Sequence, residues 1–239
     1  MRIDPDACTA CGECLPYCST GAIGHRDGVG VIDAELCVEC YVCLRSGICP
    51  TEAFQEDELE WPRIIRHVFS SVRPVQSGTG LIEGRGTAEM KTNEVTNRYR
   101  FGEVGFTVDV GRPGVGTTFA DVETIAMAVA ALGVVFEPEN PVTGLMNDAT
   151  AGSFPEDVKR ERVLSCVLEF KTDEDNCLTV VDALGRVARK VDTVFSVGCI
   201  SRCSDSGKAP VAEILDRAGV PRRPNGKVNI GLGWSDSGS

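Results

Sequence analysis

Eight of the chain's twelve cysteines fall between positions 8 and 49, and their spacing is the part of the sequence most able to do chemistry. Cys8, Cys11 and Cys14 are followed by Cys18; Cys37, Cys40 and Cys43 are followed by Cys49. The two triples stand 29 residues apart, and each fourth cysteine leads into a Thr-x-Ala-apolar tail, Thr20 to Ile23 and Thr51 to Phe54. Three thiolates with two residues between neighbours can wrap one corner of an iron–sulfur cubane while backbone N–H groups point at the sulfides. The fourth cysteine then crosses to the other cluster. Two zinc sites could use CxxC pairs, but the CxxCxxC triple is unusual for zinc. A thioredoxin-like dithiol leaves eight cysteines in register unexplained. Disulfides conflict with an intracellular setting. Iron–sulfur chemistry is the favoured reading, and with no haem or other metal motif it means one-electron transfer.

This head resembles the bacterial two-cluster ferredoxin over roughly residues 3–56. The resemblance implies a small fold of hairpins and helices around two [4Fe–4S] clusters. It assigns Cys8, Cys11, Cys14 and Cys49 to one cluster and Cys18, Cys37, Cys40 and Cys43 to the other. Two departures stand out. Ser19 replaces the proline that usually follows the fourth cysteine, and five residues instead of three separate Cys43 from Cys49. The longer loop bears on cluster potential more than on ligation.

Charge and composition narrow the function further. Of 239 residues, 42% are hydrophobic and 25% charged, which excludes a disordered chain. Residues 1–60 hold 3 basic against 12 acidic side chains, residues 61–118 hold 8 against 5, and residues 119–239 hold 13 against 18. The acidic opening disfavours nucleic-acid binding, because phosphates would be repelled, and no DNA-reading helix is recognisable. The longest apolar run, residues 125–136 with Gly133 inside it, is too short to span a bilayer. The first residues show no secretory signal. A cytoplasmic protein with reduced or metal-bound thiols is expected.

Behind the head, an acidic stretch over residues 55–63 ends at Pro62 and marks a boundary. Two domains are predicted, residues 1–60 and residues 61–239. A short helix or strand is expected at 64–72 and a Gly-rich ordered loop at 77–87. Alternating Val104, Phe106, Val108 and Val110 predict a strand over 103–111. Thr118, with Asp121 three residues on, predicts a capped helix over 119–132 that Gly133 stops. Strands at 134–136 and 163–171, a helix from Thr172 or Asp173 to about Lys190, and a strand at 192–197 complete a βαββαβ order. The fold class expected is α+β, the small head followed by a larger α/β sandwich of antiparallel sheet and two helices. A helix at 209–218 and a strand at 227–232 follow.

Other candidate chemistry lies in the second part. Gly111, Gly114 and Gly116 join a strand to a helix, where backbone N–H groups can cradle an anion, or simply make a tight turn. Arg112 stands beside them. With Arg98 and Arg100, and with Arg85 and Lys91 nearby in sequence, it suggests a site for a small carboxylate or phosphate. The competing reading is a solvated face, or a partner for the acidic head. Cys166 and Cys177 suit core positions, while Cys199 and Cys203, four apart, have no evident third ligand. The two histidines, His25 and His67, assemble no zinc site or catalytic triad.

Residues 84–93, 111–117 and 224–233 look similar to the ferredoxin-containing portion of 6-hydroxynicotinate reductase. That resemblance implies anaerobic redox metabolism, with a flavin or a partner subunit. Three functions are therefore expected in order. The first is an electron carrier delivering low-potential electrons to a partner reductase. The second is a reductase of an unsaturated or aromatic carboxylate, and the third is a redox-sensing module that binds a metabolite.

Overall fold

The computed structural model describes residues 1–73, 84–85, 98–112 and 115–223. Most of the expected loop at 77–87, Lys91, Gly114 and the expected strand at 227–232 lie outside the described residues.

The head is built from two antiparallel pairs and two short helical turns. Its elements are β1 (Arg2–Ile3), a 3₁₀ turn at Leu15–Tyr17, β2 (Ile23–Arg26), β3 (Val29–Ile32), α1 (Val42–Arg45) and β4 (Phe54–Gln55). β2 and β3 form a hairpin closed by Asp27 and Gly28, with φ of 53° and 78°, the two left-handed residues a tight hairpin of this hand requires. β1 pairs with β4. Met1, Ile23, Tyr41 and Phe54 form a small apolar centre against which five of the cysteines pack.

Past the acidic stretch comes α2 (Ile64–Ser70), buried over all of residues 64–69. Its two faces differ in chemistry. Ile65, Val68 and Phe69 join the large hydrophobic core, whereas Arg66 and His67 turn to the head.

The remaining elements surround one sheet: β5 (Glu103–Val110), β6 (Thr117–Thr118), α3 (Phe119–Ala130), β7 (Val135–Phe136), α4 (Glu156–Lys159), β8 (Arg162–Val163), β9 (Cys166–Asp173), α5 (Cys177–Val187), β10 (Phe195–Ile200) and α6 (Pro210–Arg217). Four strands pair antiparallel in the order β10-β5-β9-β7. The register sets Phe106 opposite Phe170, Val108 opposite Leu168 and Val110 opposite Cys166. Since strand side chains alternate, these share one face, and all are fully buried. α3 and α5 cover that face with Phe119, Val122, Ile125 and Val129, and with Cys177, Val180 and Leu184. On the opposite face a Cβ at Gly105 would lie 2.5 Å from the Tyr99 ring, so the missing side chain is what makes room for Tyr99 there.

The Thr118 hydroxyl accepts the Asp121 N–H at 3.2 Å and donates to the Asp121 carboxylate at 2.9 Å, closing the N-terminus of α3. The expected strand at 163–171 is instead two strands, because the Leu164 N–H donates to the Ser70 hydroxyl at 3.0 Å. β8 pairs with β6, and β9 starts afresh against β5. The last strand begins later than expected. The Asp192 N–H donates to Asp121 and the Thr193 hydroxyl to the Gly116 carbonyl, so both residues serve the turn before α3. Cys166 and Cys177 are core residues, Cys199 is half-buried and Cys203 exposed. Burial pushes the Cys199 thiol up to about 12. Among the described residues no helix is long and apolar enough to cross a membrane.

Phe170 stacks on Phe106 at 5.4 Å and meets Phe136 edge-on at 5.7 Å. Phe170→Ala is expected to lower stability by about 3–5 kcal/mol, and Thr118→Ala by about 1 kcal/mol through loss of the cap. Urea unfolding followed by circular dichroism under anaerobic conditions measures both, and equal effects would contradict this view of the core.

Candidate metal centre

The two cysteine loops are built by the same backbone moves. The Asp4 carbonyl accepts the Cys8 N–H at 3.0 Å, and the Asp33 carbonyl accepts the Cys37 N–H at the same distance. Each aspartate carboxylate also takes the N–H two residues on, that of Asp6 or Glu35. Ala10 and Gly12 then have positive φ, as do Glu39 and Tyr41, 29 residues later. A third position follows each fourth cysteine: Gly21 at 68° and Glu52 at 53°. Four of these six are not glycine, and left-handed backbone costs such residues roughly 1–2 kcal/mol each. What offsets that cost is direction. Left-handed turns aim successive N–H groups into one concavity, an anion-binding nest.

The sulfurs receive those N–H groups. Cys8 Sγ accepts from Ala10 and Gly30, each at 3.4 Å. The Thr-x-Ala tails explain themselves here. Ala22 N–H reaches Cys18 Sγ at 3.1 Å and Ala53 N–H reaches Cys49 Sγ at 3.3 Å. The hydroxyls of Thr20 and Thr51 lie 3.6 and 3.5 Å from the same two sulfurs. Burial works against ionisation of Cys18 and Cys49, but these donors outweigh it and hold both thiols below the ordinary value.

The eight thiols fall into two groups. Cys8, Cys11, Cys14 and Cys49 line one cavity, walled by Ile3, His25 and Phe54. Cys18 lies among Cys37, Cys40 and Cys43. Burial, followed by the charges of Cys40, Cys37 and Cys18, pushes the Cys43 thiol up to about 12. Each fourth cysteine thus stands with the triple of the other motif. Among the described residues no three His, Cys, Asp or Glu side chains meet closely enough to hold a single metal ion. The chemistry of the donor set, four thiols with N–H groups aimed at the sulfurs, fits an iron–sulfur cluster.

The two surroundings differ. Cys11 is exposed and Leu15 and Tyr17 beside the first group are open to solvent. In the second loop Tyr41 replaces Gly12, is buried, and meets His67 edge-on at 4.9 Å. The Arg73 guanidinium lies 5.3 Å from the Tyr41 ring centre. Arg63 holds the fully buried Glu39 carboxylate at 2.6 and 2.9 Å. Arg66 donates to the carbonyls of Ala34, Glu35 and Cys37 at 2.8, 3.2 and 2.8 Å, and to the Glu161 carboxylate. Among the described residues Arg63, Arg66 and Arg73 reach the acidic head from beyond residue 60, and sequence spacing did not single them out. The one signal was three arginines immediately after a strongly acidic stretch.

The anion site expected from Arg98, Arg100, Arg112, Gly114 and Gly116 is not brought together. Arg98 and Arg100 precede β5 and Arg112 and Gly116 follow it, separated by an eight-residue strand, about 25 Å long. Gly114 lies outside the described residues. The N–H groups of Val115 and Gly116 are taken by the Gly111 carbonyl. A Cβ at Gly111 would lie 2.6 Å from the Leu164 carbonyl oxygen. These glycines make a tight turn against β8. Arg98 and Arg100 do line a cleft of about 500 Å³ with Lys171, but Glu103, Glu137 and Glu139 line it too. Arg98 pairs with Glu137 at 2.5 Å, and Lys171 with Glu103 at 2.9 Å.

Burial raises the Glu103 carboxyl, but the Lys171 ammonium and the Arg100 N–H outweigh it and hold it below the ordinary 4.5. A carboxylate depressed in this way stabilises the fold fully above its unfolded value and loses that contribution as pH falls through the lower folded value. Unfolding midpoints measured from pH 6 down to pH 3 should therefore fall less steeply for Glu103→Gln than for the wild type; parallel curves would remove this ion pair from the acid response.

The family of 4Fe-4S binding domains matches residues 1–24. Ferredoxin-1 of Rhodobacter capsulatus is 55% identical over 40 residues, 17% of this chain and 62% of the relative's length. A ferredoxin-like protein in the vnf region of Azotobacter chroococcum is 46% identical over 57 residues, 22% of this chain and 85% of the relative. A ferredoxin of Chlorobaculum thiosulfatiphilum is 40% identical over 53 residues, 20% of this chain and 84% of the relative. No solved structure matches the chain significantly. Through its cysteine-rich head, with thiols and donors that fit 4Fe–4S clusters, the chain belongs to the ferredoxin family.

Proposed function

We propose that the chain holds two [4Fe–4S] clusters and delivers low-potential electrons to a partner reductase in anaerobic metabolism, in the cytoplasm. Residues 1–60 form the cluster-bearing domain and residues 61–239 an α+β domain that meets the partner or a small ligand. Cys8, Cys11, Cys14 and Cys49 hold one cluster; Cys18, Cys37, Cys40 and Cys43 hold the other. The observation that carries this reading is the crossed grouping of the thiols, each group with its own inward-turned N–H groups. When bound, the clusters supply one-electron transfer. The protein's part is to hold the four sulfurs, offset their charge with donors, and keep one side of each site apolar.

A second reading makes the chain itself a reductase of an unsaturated or aromatic carboxylate, with a flavin, in line with the resemblance to 6-hydroxynicotinate reductase. What favours it is the cleft that Arg98, Arg100 and Lys171 share. The carboxylates of Glu103 and Glu137 already occupy two of those cations, and on that ground the carrier reading stands first.

Anaerobic iron and sulfide analysis should give about eight irons per chain and Cys40→Ser about four; zinc in place of iron, or about four irons in the wild type, would sink the two-cluster reading. Gly30→Ala puts a Cβ 3.1 Å from Cys8 Sγ. It should speed iron loss to a chelator from the first site and leave the second at the wild-type rate. A flavin co-purifying with the chain, or cluster reoxidation by an added aromatic acid, would favour the second reading instead.

A further inference from the structure

The two groups of thiols are not electrically equivalent, and the difference comes from one residue of the head and from arginines beyond it. Glu39 occupies the position of Ala10 in the repeat, so only the second loop carries an ionisable side chain there. That carboxylate is fully buried between Cys37 and Cys40 in sequence and is held by Arg63 on one oxygen and by the Met1 amino group, at 3.0 Å, on the other. Arg66, also buried, uses one nitrogen for the carbonyls of Ala34, Glu35 and Cys37. Its Nε faces the other way, to Glu161 beside β8. Each arginine is thus ion-paired, yet the guanidinium of Arg66 faces the cysteine loop and its carboxylate partner lies on a different element.

We propose that Arg63 and Arg66 are positioning residues that raise the reduction potential of the cluster held by Cys18, Cys37, Cys40 and Cys43, and so set its order relative to the other cluster. The inference rests on the two-cluster reading above. Reduction adds one electron, hence one negative charge, to a site already surrounded by thiolates. A guanidinium hydrogen-bonded to the Cys37 carbonyl favours the added charge, and a partly buried setting screens it less than water would. Removing either arginine takes away a cation. Without Arg66 the buried Glu161 carboxylate loses its ion-pair partner, and without Arg63 the buried Glu39 carboxylate keeps, among the described residues, only the Met1 amino group.

The test is an anaerobic redox titration followed by EPR on the full chain. The second couple is assigned by its loss in Cys40→Ser. Arg63→Gln and Arg66→Gln should each move that couple to more negative potential by at least a tenfold change in its reduction equilibrium, 59 mV for one electron. The first couple should stay in place, and Arg66→Lys should recover part of the shift. Because Arg66 is buried, its glutamine variant can lose iron; Arg63, whose side chain is about one third exposed, then decides alone. Variants that keep wild-type iron and show no shift, or shift both couples equally, overturn the proposal. About four irons in the wild type would overturn the two-cluster reading and this inference with it, whereas eight irons with unmoved potentials would overturn this inference alone.

Discussion

Gathering eight thiols into about sixty residues concentrates potential negative charge in a segment that is already strongly acidic, and the architecture of the head follows from managing it. Water cannot do so where the sulfurs are half-buried, so N–H groups must. Helices and strands spend their N–H groups on their own carbonyls, which explains why the head contains so little of either. Its regular structure is two short strand pairs and a few helical turns, with irregular backbone where the sulfurs stand. The left-handed residues Ala10, Glu39, Tyr41 and Glu52 belong to the same constraint: they are unfavourable locally and persist because the turn they make feeds the sulfurs. Even the small apolar centre is partly made of cysteine side chains.

Donors alone leave the carboxylates unanswered, and the residues flanking α2 answer two of them, Arg63 pairing with Glu39 and Arg73 with Glu56, while α2 itself holds the carbonyls of the second loop. It is short and buried over nearly its whole length, and it presents aliphatic and aromatic side chains to the large core and an arginine and a histidine to the head. Arg66 ties three carbonyls of the second cysteine loop to Glu161, a residue about a hundred positions later. Trp61 reaches Asp157 in the same way. A guanidinium, with several donors in one plane, suits a junction where carbonyls and a carboxylate arrive from different elements. Among the described residues the first cysteine group has no such cover, and Cys11, Leu15 and Tyr17 beside it are exposed.

What could be read along the chain depended on whether the physics was local. The strand at β5 was legible because alternating apolar residues have one geometric meaning, and the start of α3 because Thr118 and Asp121 close their cap within one turn. The break between β8 and β9 was not, since the hydroxyl that takes the Leu164 N–H belongs to Ser70, on a different element. Arginines near one another in sequence suggested a single anion site. An intervening strand holds Arg98 and Arg112 apart, and the carboxylates of Glu137 and Glu103 come from other segments to engage the cations at one end.

The grouping of the cysteines could be read from the chain, because spacings of three residues leave few ways to arrange thiols, and the repeat shows them arranged twice. The sequence also determined the alternation that makes the central sheet amphipathic. Tertiary structure alone decided which charges face which cysteine loop. Ion pairs and carbonyl contacts between Arg66, Cys37 and Glu161 join residues far apart in the chain, and no local pattern encodes a distance that only folding creates.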